Sequence, residues 1–156
     1  MKNFLQRIIK NYGIGFSLTA LIFYLAQLLP NIIWMFRPPV NNPLAENSSP
    51  YLAMDVCEQL FGILMMLTLV FVVRRDKTLN NIGCFVLAGG AMLTYYICWI
   101  LYYNGITDPY MFVIGMACMP VVAFGAFGVW RKNYFMLIPD LIFAIFHIVI
   151  TCGTFL

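Results

Sequence analysis

Charge is scarce in this chain. Of its 156 residues only 10% are Asp, Glu, Lys or Arg, while 63% are hydrophobic and the mean hydropathy is +0.88. A soluble globular chain carries about 25% charged and 45–50% apolar residues, so the charges present are too few to solvate a soluble surface. The same scarcity excludes disordered, collagen-like and nucleic-acid-binding classes, each of which needs a polar or basic composition. Histidine occurs once. That excludes a multi-histidine metal cage, and no ligand spacing supports a site completed by Asp, Glu or Cys. The five cysteines, Cys57, Cys84, Cys98, Cys118 and Cys152, form no CxxC pair, which argues against a thioredoxin-like oxidoreductase. The GxSxG, HExxH and P-loop signatures are missing as well. No metal and no cofactor are expected.

What the chain does have is long apolar runs. A helix needs about 20 apolar residues to cross a bilayer, and five such runs are legible, at about 12–36, 51–73, 82–103, 110–130 and 134–156. The first is longer than the apolar core of a signal peptide and ends Leu28-Leu29-Pro30-Asn31 with no small-x-small site, so it reads as a retained span. Pro30 should kink or end regular helix there, because it lacks an amide donor and crowds the carbonyl of Ala26. The sizeable loop, 37–50, holds four prolines and three asparagines, a composition that excludes helix and central strand. The expected fold is all-α: one transmembrane domain over residues 1–156, a bundle of five helices. Lys2, Arg7, Lys10, Arg74, Arg75, Lys77, Arg131 and Lys132 fall on one side of such a topology and Arg37 alone on the other. This bias places the N-terminus in the cytoplasm, the C-terminus and loop 37–50 outside, and the plasma membrane as the setting.

Inside a bilayer, polar and small residues mark the face turned to the bundle. Ser17, Ala20, Tyr24, Gln27, Asn31 and Trp34 recur at helical spacing in the first span, as do Asp140, Ala144, His147, Thr151 and Thr154 in the fifth. The third span offers Gly83, Leu87, Gly90, Thr94 and Cys98, and the fourth Gly115, Cys118, Val122 and Gly125. Helix packing alone explains the small residues. The ionisable ones ask for more, since a carboxylate near the bilayer centre costs a few kcal/mol. Asp55 begins the second span and reads as an N-terminal cap. Glu58 lies one turn deeper. Asp140 follows Pro139 near the start of the fifth span, and His147 lies near its middle. The two are about 10.5 Å apart along the helix axis, too far for contact, so a proton or polar relay through them would need intervening groups.

Superposed by depth, the outer half of the bundle would gather Gln27, Asn31 and Trp34, Asp55 and Glu58, and Tyr95 and Trp99. Polar groups converging within an apolar wall describe a small-ligand site, and carboxylates beside aromatic faces suit an organic cation. The expected function is therefore binding, sensing or transport of a small amphipathic molecule, with a cation as the form these residues suit. In that scheme Glu58 supplies charge, Trp34, Tyr95 and Trp99 the walls, and Gln27 and Asn31 orienting hydrogen bonds. The rival reading is a structural or accessory membrane subunit whose polar stripes pack helices against one another, against a second copy or against a membrane partner protein. An intramembrane enzyme ranks third, because no nucleophile-and-base pair is evident. The lipid bilayer and the small ligand are the expected partners; a nucleic acid is not.

Overall fold

The computed structural model describes residues 11–75 and 81–156. Lys2, Arg7, Lys10 and Lys77, four of the cations in the charge bias, lie outside the described residues. Among the described residues, five helices are long and apolar enough to cross a membrane. We number them α1 (Leu18–Phe36), α2 (Leu52–Phe71), α3 (Ile82–Tyr103), α4 (Met111–Trp130) and α5, which runs over Leu137–Phe155 after a 3-10 turn at Tyr134–Met136.

The first helix starts later than its apolar run. Residues Tyr12–Ile14 form a strand, β1, that pairs antiparallel with β2 (Val72–Arg74), Gly13 opposite Val73. The expected start of the first span near Tyr12 is thereby corrected. The cause is backbone accounting at the end of α2, whose last carbonyls have no intrahelical donor. Gly15 N–H donates to Phe71 O and Ser17 N–H to Val70 O, both at 2.9 Å. Asn133 Nδ2 donates to Thr68 O at 2.8 Å and to Val72 O at 3.0 Å. Apolarity carries no trace of this sealing, which takes the chain out of helix until Ser17 caps α1 by accepting from Ala20 N–H.

Pro30 neither ends α1 nor interrupts it: the helix continues to Phe36. The carbonyl of Ala26, which proline cannot serve, accepts the Tyr96 hydroxyl of α3 at 2.5 Å. The loop is also more regular than its composition implied, with a 3-10 turn over Pro43–Glu46. Proline is suited to the first position of a helical turn, where its missing N–H would have had no partner.

The most extensive packing joins α3 to α4 and α2 to α5, with α4 also against α5 and α1 laid lightly across α2 and α3. Helix α4 is the most enclosed of the five. A methyl group on Gly115 would stand 2.2 Å from Cys98 Sγ, and one on Gly128 2.2 Å from Met136 Sδ; glycine is what lets neighbours close on α4 there. The expected inward face of α3 is corrected. Gly83, Leu87, Gly90 and Thr94 are exposed, and Ala88, Ala91, Tyr95, Cys98, Trp99 and Tyr102 are buried. Thr94 Oγ1 donates to Gly90 O in its own helix at 3.0 Å, so it needs no partner across the bundle. In α4, Gly115 is buried as expected but Val122 is exposed. Its enclosed surface is carried by Phe112, Met116, Ala123, Phe124 and Phe127.

Candidate functional site

Because α1 crosses the two helix pairs without filling the space beneath it, a cavity of about 360 Å³ remains in the half of the bundle nearer loop 37–50. Helix α1 contributes Tyr24, Gln27, Asn31 and Trp34 to its wall, α3 contributes Tyr95 and Trp99, and α5 contributes Phe143, His147 and Thr151. Helix α4 supplies Phe112, Met116, Pro120 and Phe124. The loop reaches in with Leu44 and Asn47.

The first eight residues of α4, Met111–Cys118, are wound as a wide π-type helix, and regular α-helix resumes at Met119. Pro120 stands just beyond this change and offers no N–H to an earlier carbonyl. A π segment is rare and recurs at functional sites; here it carries Phe112, Met116 and Ala117 of the cavity wall. Asp108 starts the helix, its Oδ1 accepting from Met111 N–H at 3.0 Å.

Polar side chains fasten the loop over the cavity. Asn42 Oδ1 accepts from Trp34 Nε1 at 2.8 Å and from Tyr102 Oη at 2.7 Å. Asn47 Nδ2 donates to Thr151 Oγ1 at 3.4 Å, and Thr151 in turn donates to His147 O at 2.8 Å. Asp55 Oδ1 accepts from Ser49 N–H at 3.0 Å, tying the loop to the start of α2. Across the cavity, Asn31 Nδ2 donates to Tyr95 Oη at 2.6 Å.

Glu58 is not part of the wall. Its Oε1 lies 2.5 Å from His147 Nδ1, and the Phe143 ring stacks on the imidazole at a centroid distance of 4.9 Å. Glu58 and Phe143 together hold His147 in one orientation at the cavity edge. Of the residues singled out from sequence, Gln27, Asn31, Trp34, Tyr95, Trp99 and His147 meet around one space. Asp55 serves the loop, and Glu58 stands behind His147. Asp140 lies toward the β1–β2 end, 5% exposed, with Oδ2 3.0 Å from where a Cβ on Gly125 would stand. Among the described residues no three of His, Cys, Asp and Glu gather into a metal-holding group, and all five cysteines are free thiols.

Several polar atoms of the wall have no partner. Gln27 is 2% exposed, and neither Nε2 nor Oε1 of its amide makes a hydrogen bond. Trp99, 4% exposed, leaves Nε1–H without an aligned acceptor, and Asn47 leaves Oδ1 unused. Native proteins pair nearly all buried polar atoms, and each that stays unpaired costs about 1–3 kcal/mol. Three such residues around one cavity are therefore its most informative feature. No protein family, curated protein or solved structure matches the chain, so the site is interpreted from its own geometry.

The residues that sequence reasoning passed over are those of α4 and the loop. Pro120, in the middle of a span, was the available signal for the irregular winding of α4. Asn47 carried none, because a loop asparagine is ordinary until the loop is seen to fold back onto the bundle.

Proposed function

We propose that this protein is a multi-pass membrane protein, N-terminus cytoplasmic and C-terminus external, that binds a small amphipathic molecule in the cavity beneath α1 and the loop. The observation that carries the reading is the unpartnered amide of Gln27 in the wall of a space of about 360 Å³, within the size range of small-molecule pockets. Trp34, Tyr95 and Trp99 supply flat apolar walls, and Asn31 and Asn47 supply polar edges. Because α1 has the lightest packing and the loop is held mainly by side-chain hydrogen bonds, these two elements are the ones whose displacement would admit a ligand. Plasma-membrane residence accords with the charge bias.

The test is ligand-dependent thermal stabilisation of the purified protein against a library of small amphipathic compounds, for wild type and Leu28→Trp. Leu28 lines the cavity from α1 and is half-buried, so the added indole should occupy ligand space. Compounds that stabilise wild type and not Leu28→Trp support the proposal. If no compound stabilises wild type, or if shifts are equal in both proteins, the accessory-subunit reading takes its place.

A further inference from the structure

The unused polar atoms of the cavity form a mixed set, and the mixture constrains the ligand. Gln27 Nε2 and Trp99 Nε1 are donors; Gln27 Oε1 and Asn47 Oδ1 are acceptors. A cation has only donors to give, so it would pair the acceptors and leave both N–H groups dry. An anion would do the reverse. Formal charge has no counterpart here either. Among the described residues no Asp, Glu, Lys or Arg belongs to the wall, and Glu58, behind His147, spends Oε1 on its Nδ1. A charged ligand would therefore be desolvated among Trp34, Tyr95, Trp99, Phe112, Phe124 and Phe143 without a partner, a costly transfer.

A neutral amide resolves this mismatch. The Gln27 side chain offers a donor and an acceptor from one planar group, and its complement is a group presenting an acceptor and a donor side by side. The aromatic rings lining the same space favour a flat apolar body. Resting on the cavity being a ligand site, we propose that its ligand is an uncharged planar aromatic amide, a carboxamide or lactam, whose polar edge pairs with the Gln27 amide once a shift of α1 uncovers it. Trp99 Nε1 and Asn47 Oδ1 then serve as the secondary donor and acceptor. Trp99 is edge-on to Tyr95, with centroids 6.2 Å apart and planes at 87°, and Tyr95 is itself engaged by Asn31. Ligand pairing with Trp99 would thus be sensed along α3 and α1 together.

The experiment uses three probes on one skeleton: 2-naphthamide, 2-acetylnaphthalene and 2-naphthylmethylammonium. Binding is read by intrinsic tryptophan fluorescence and thermal shift in lipid nanodiscs, for wild type, Gln27→Leu and Gln27→Met. Partitioning into lipid is a property of the probe and cancels between variants, and the two isosteres guard against one misfolding. The expected result is tightest binding of 2-naphthamide to wild type, weakened about 10- to 100-fold in both variants. The ketone should lose less and the ammonium should bind weakest throughout. If the ammonium binds wild type best, or if naphthamide affinity is unchanged in the variants, the amide assignment is overturned while the cavity stands as a ligand site. If none of the three probes binds wild type, both the assignment and the ligand-site reading on which it rests fall.

Discussion

Replacing Gln27 by leucine should make the ligand-free protein more stable. Both polar atoms of the Gln27 side chain are inaccessible and unpartnered, in a residue 2% exposed. Burying them forfeits hydration with no hydrogen bond in return, a cost of about 1–3 kcal/mol. Leucine keeps a similar volume, removes the orphaned donors and acceptor, and opens no large void, so most of that cost should be recovered. At about 2–4 °C per kcal/mol for a chain of this size, Gln27→Leu should raise the Tm by several degrees. The measurement is thermal unfolding in one detergent, followed by tryptophan fluorescence and by loss of monodispersity. Gln27→Ala is the informative control: it removes the same orphans but deletes packed volume, and should fall below Gln27→Leu by about 2–5 kcal/mol. Retaining a destabilising polar group where an apolar one fits better is the pattern expected when function opposes stability. A lower Tm for Gln27→Leu than for wild type would refute the reasoning, because it would mean that the amide is already satisfied in the folded protein.

Three further outcomes follow from the same structure. Glu58→Leu should destabilise by about 1.5–3 kcal/mol, the worth of a hydrogen bond to a charged group, while Glu58→Gln, which keeps an acceptor for His147, should lose less; equal losses in thermal unfolding would show that the pair at 2.5 Å contributes no specific interaction. Tyr96→Phe should cost about 1–3 kcal/mol by orphaning the Ala26 carbonyl, and Pro30→Ala, which supplies that carbonyl with an N–H of its own helix, should rescue most of it. A double-mutant cycle reads the coupling, and additive losses would contradict it. A reporter fused after Leu156 should read external, and one inserted between Arg75 and Asn80 cytoplasmic; both on one side would overturn the charge-bias argument.

The five helices were legible because span length and apolarity are properties of the chain alone. The third span was read at its structural bounds, Ile82–Tyr103, where Asn81 caps the start by accepting from Gly83 N–H and Gly105, with φ +88°, turns the chain after the end. The errors lie where a backbone group finds its partner far away in sequence. Nothing local to Tyr12–Ile14 announces that β2 and the open carbonyls of α2 lie alongside. Nothing local to Thr94 distinguishes a hydroxyl turned to its own helix from one turned to a neighbour. The cavity was legible to the extent that polar residues at helical spacing in α1 and aromatic residues in α3 do meet there. Glu58 was singled out from the sequence, but its partner, 89 positions away, could not be foreseen from one chain without contacts. That partner changes the chemistry expected of the site, because a carboxylate engaged by an imidazole is not the free counter-charge that a cation would need.

The manner in which α1 is held links the fold to the proposed site. Its packing on the bundle is light, and its attachment to α3 rests on three tyrosines. Tyr95 accepts from Asn31, Tyr96 donates to Ala26 O, and Tyr103 donates to Arg37 O at 2.9 Å. Two of these bonds end on backbone carbonyls that α1 cannot satisfy itself: Ala26 because of Pro30, and Arg37 because the helix has ended. Proline therefore acts here as the source of an acceptor on the face turned toward α3, without breaking the helix. Hydrogen bonds of this kind are worth about 1 kcal/mol each in a folded protein, far less than the apolar contact that joins α3 to α4. Apart from the packing of Ala20, Phe23 and Tyr24 against α4, with the Phe23 ring stacked on Phe127 at 3.9 Å, α1 is held by these polar tethers, so it is the element whose displacement leaves the two helix pairs beneath it intact. Since α1 also carries Gln27 and Trp34, the same displacement that opened the cavity would move two of its binding groups.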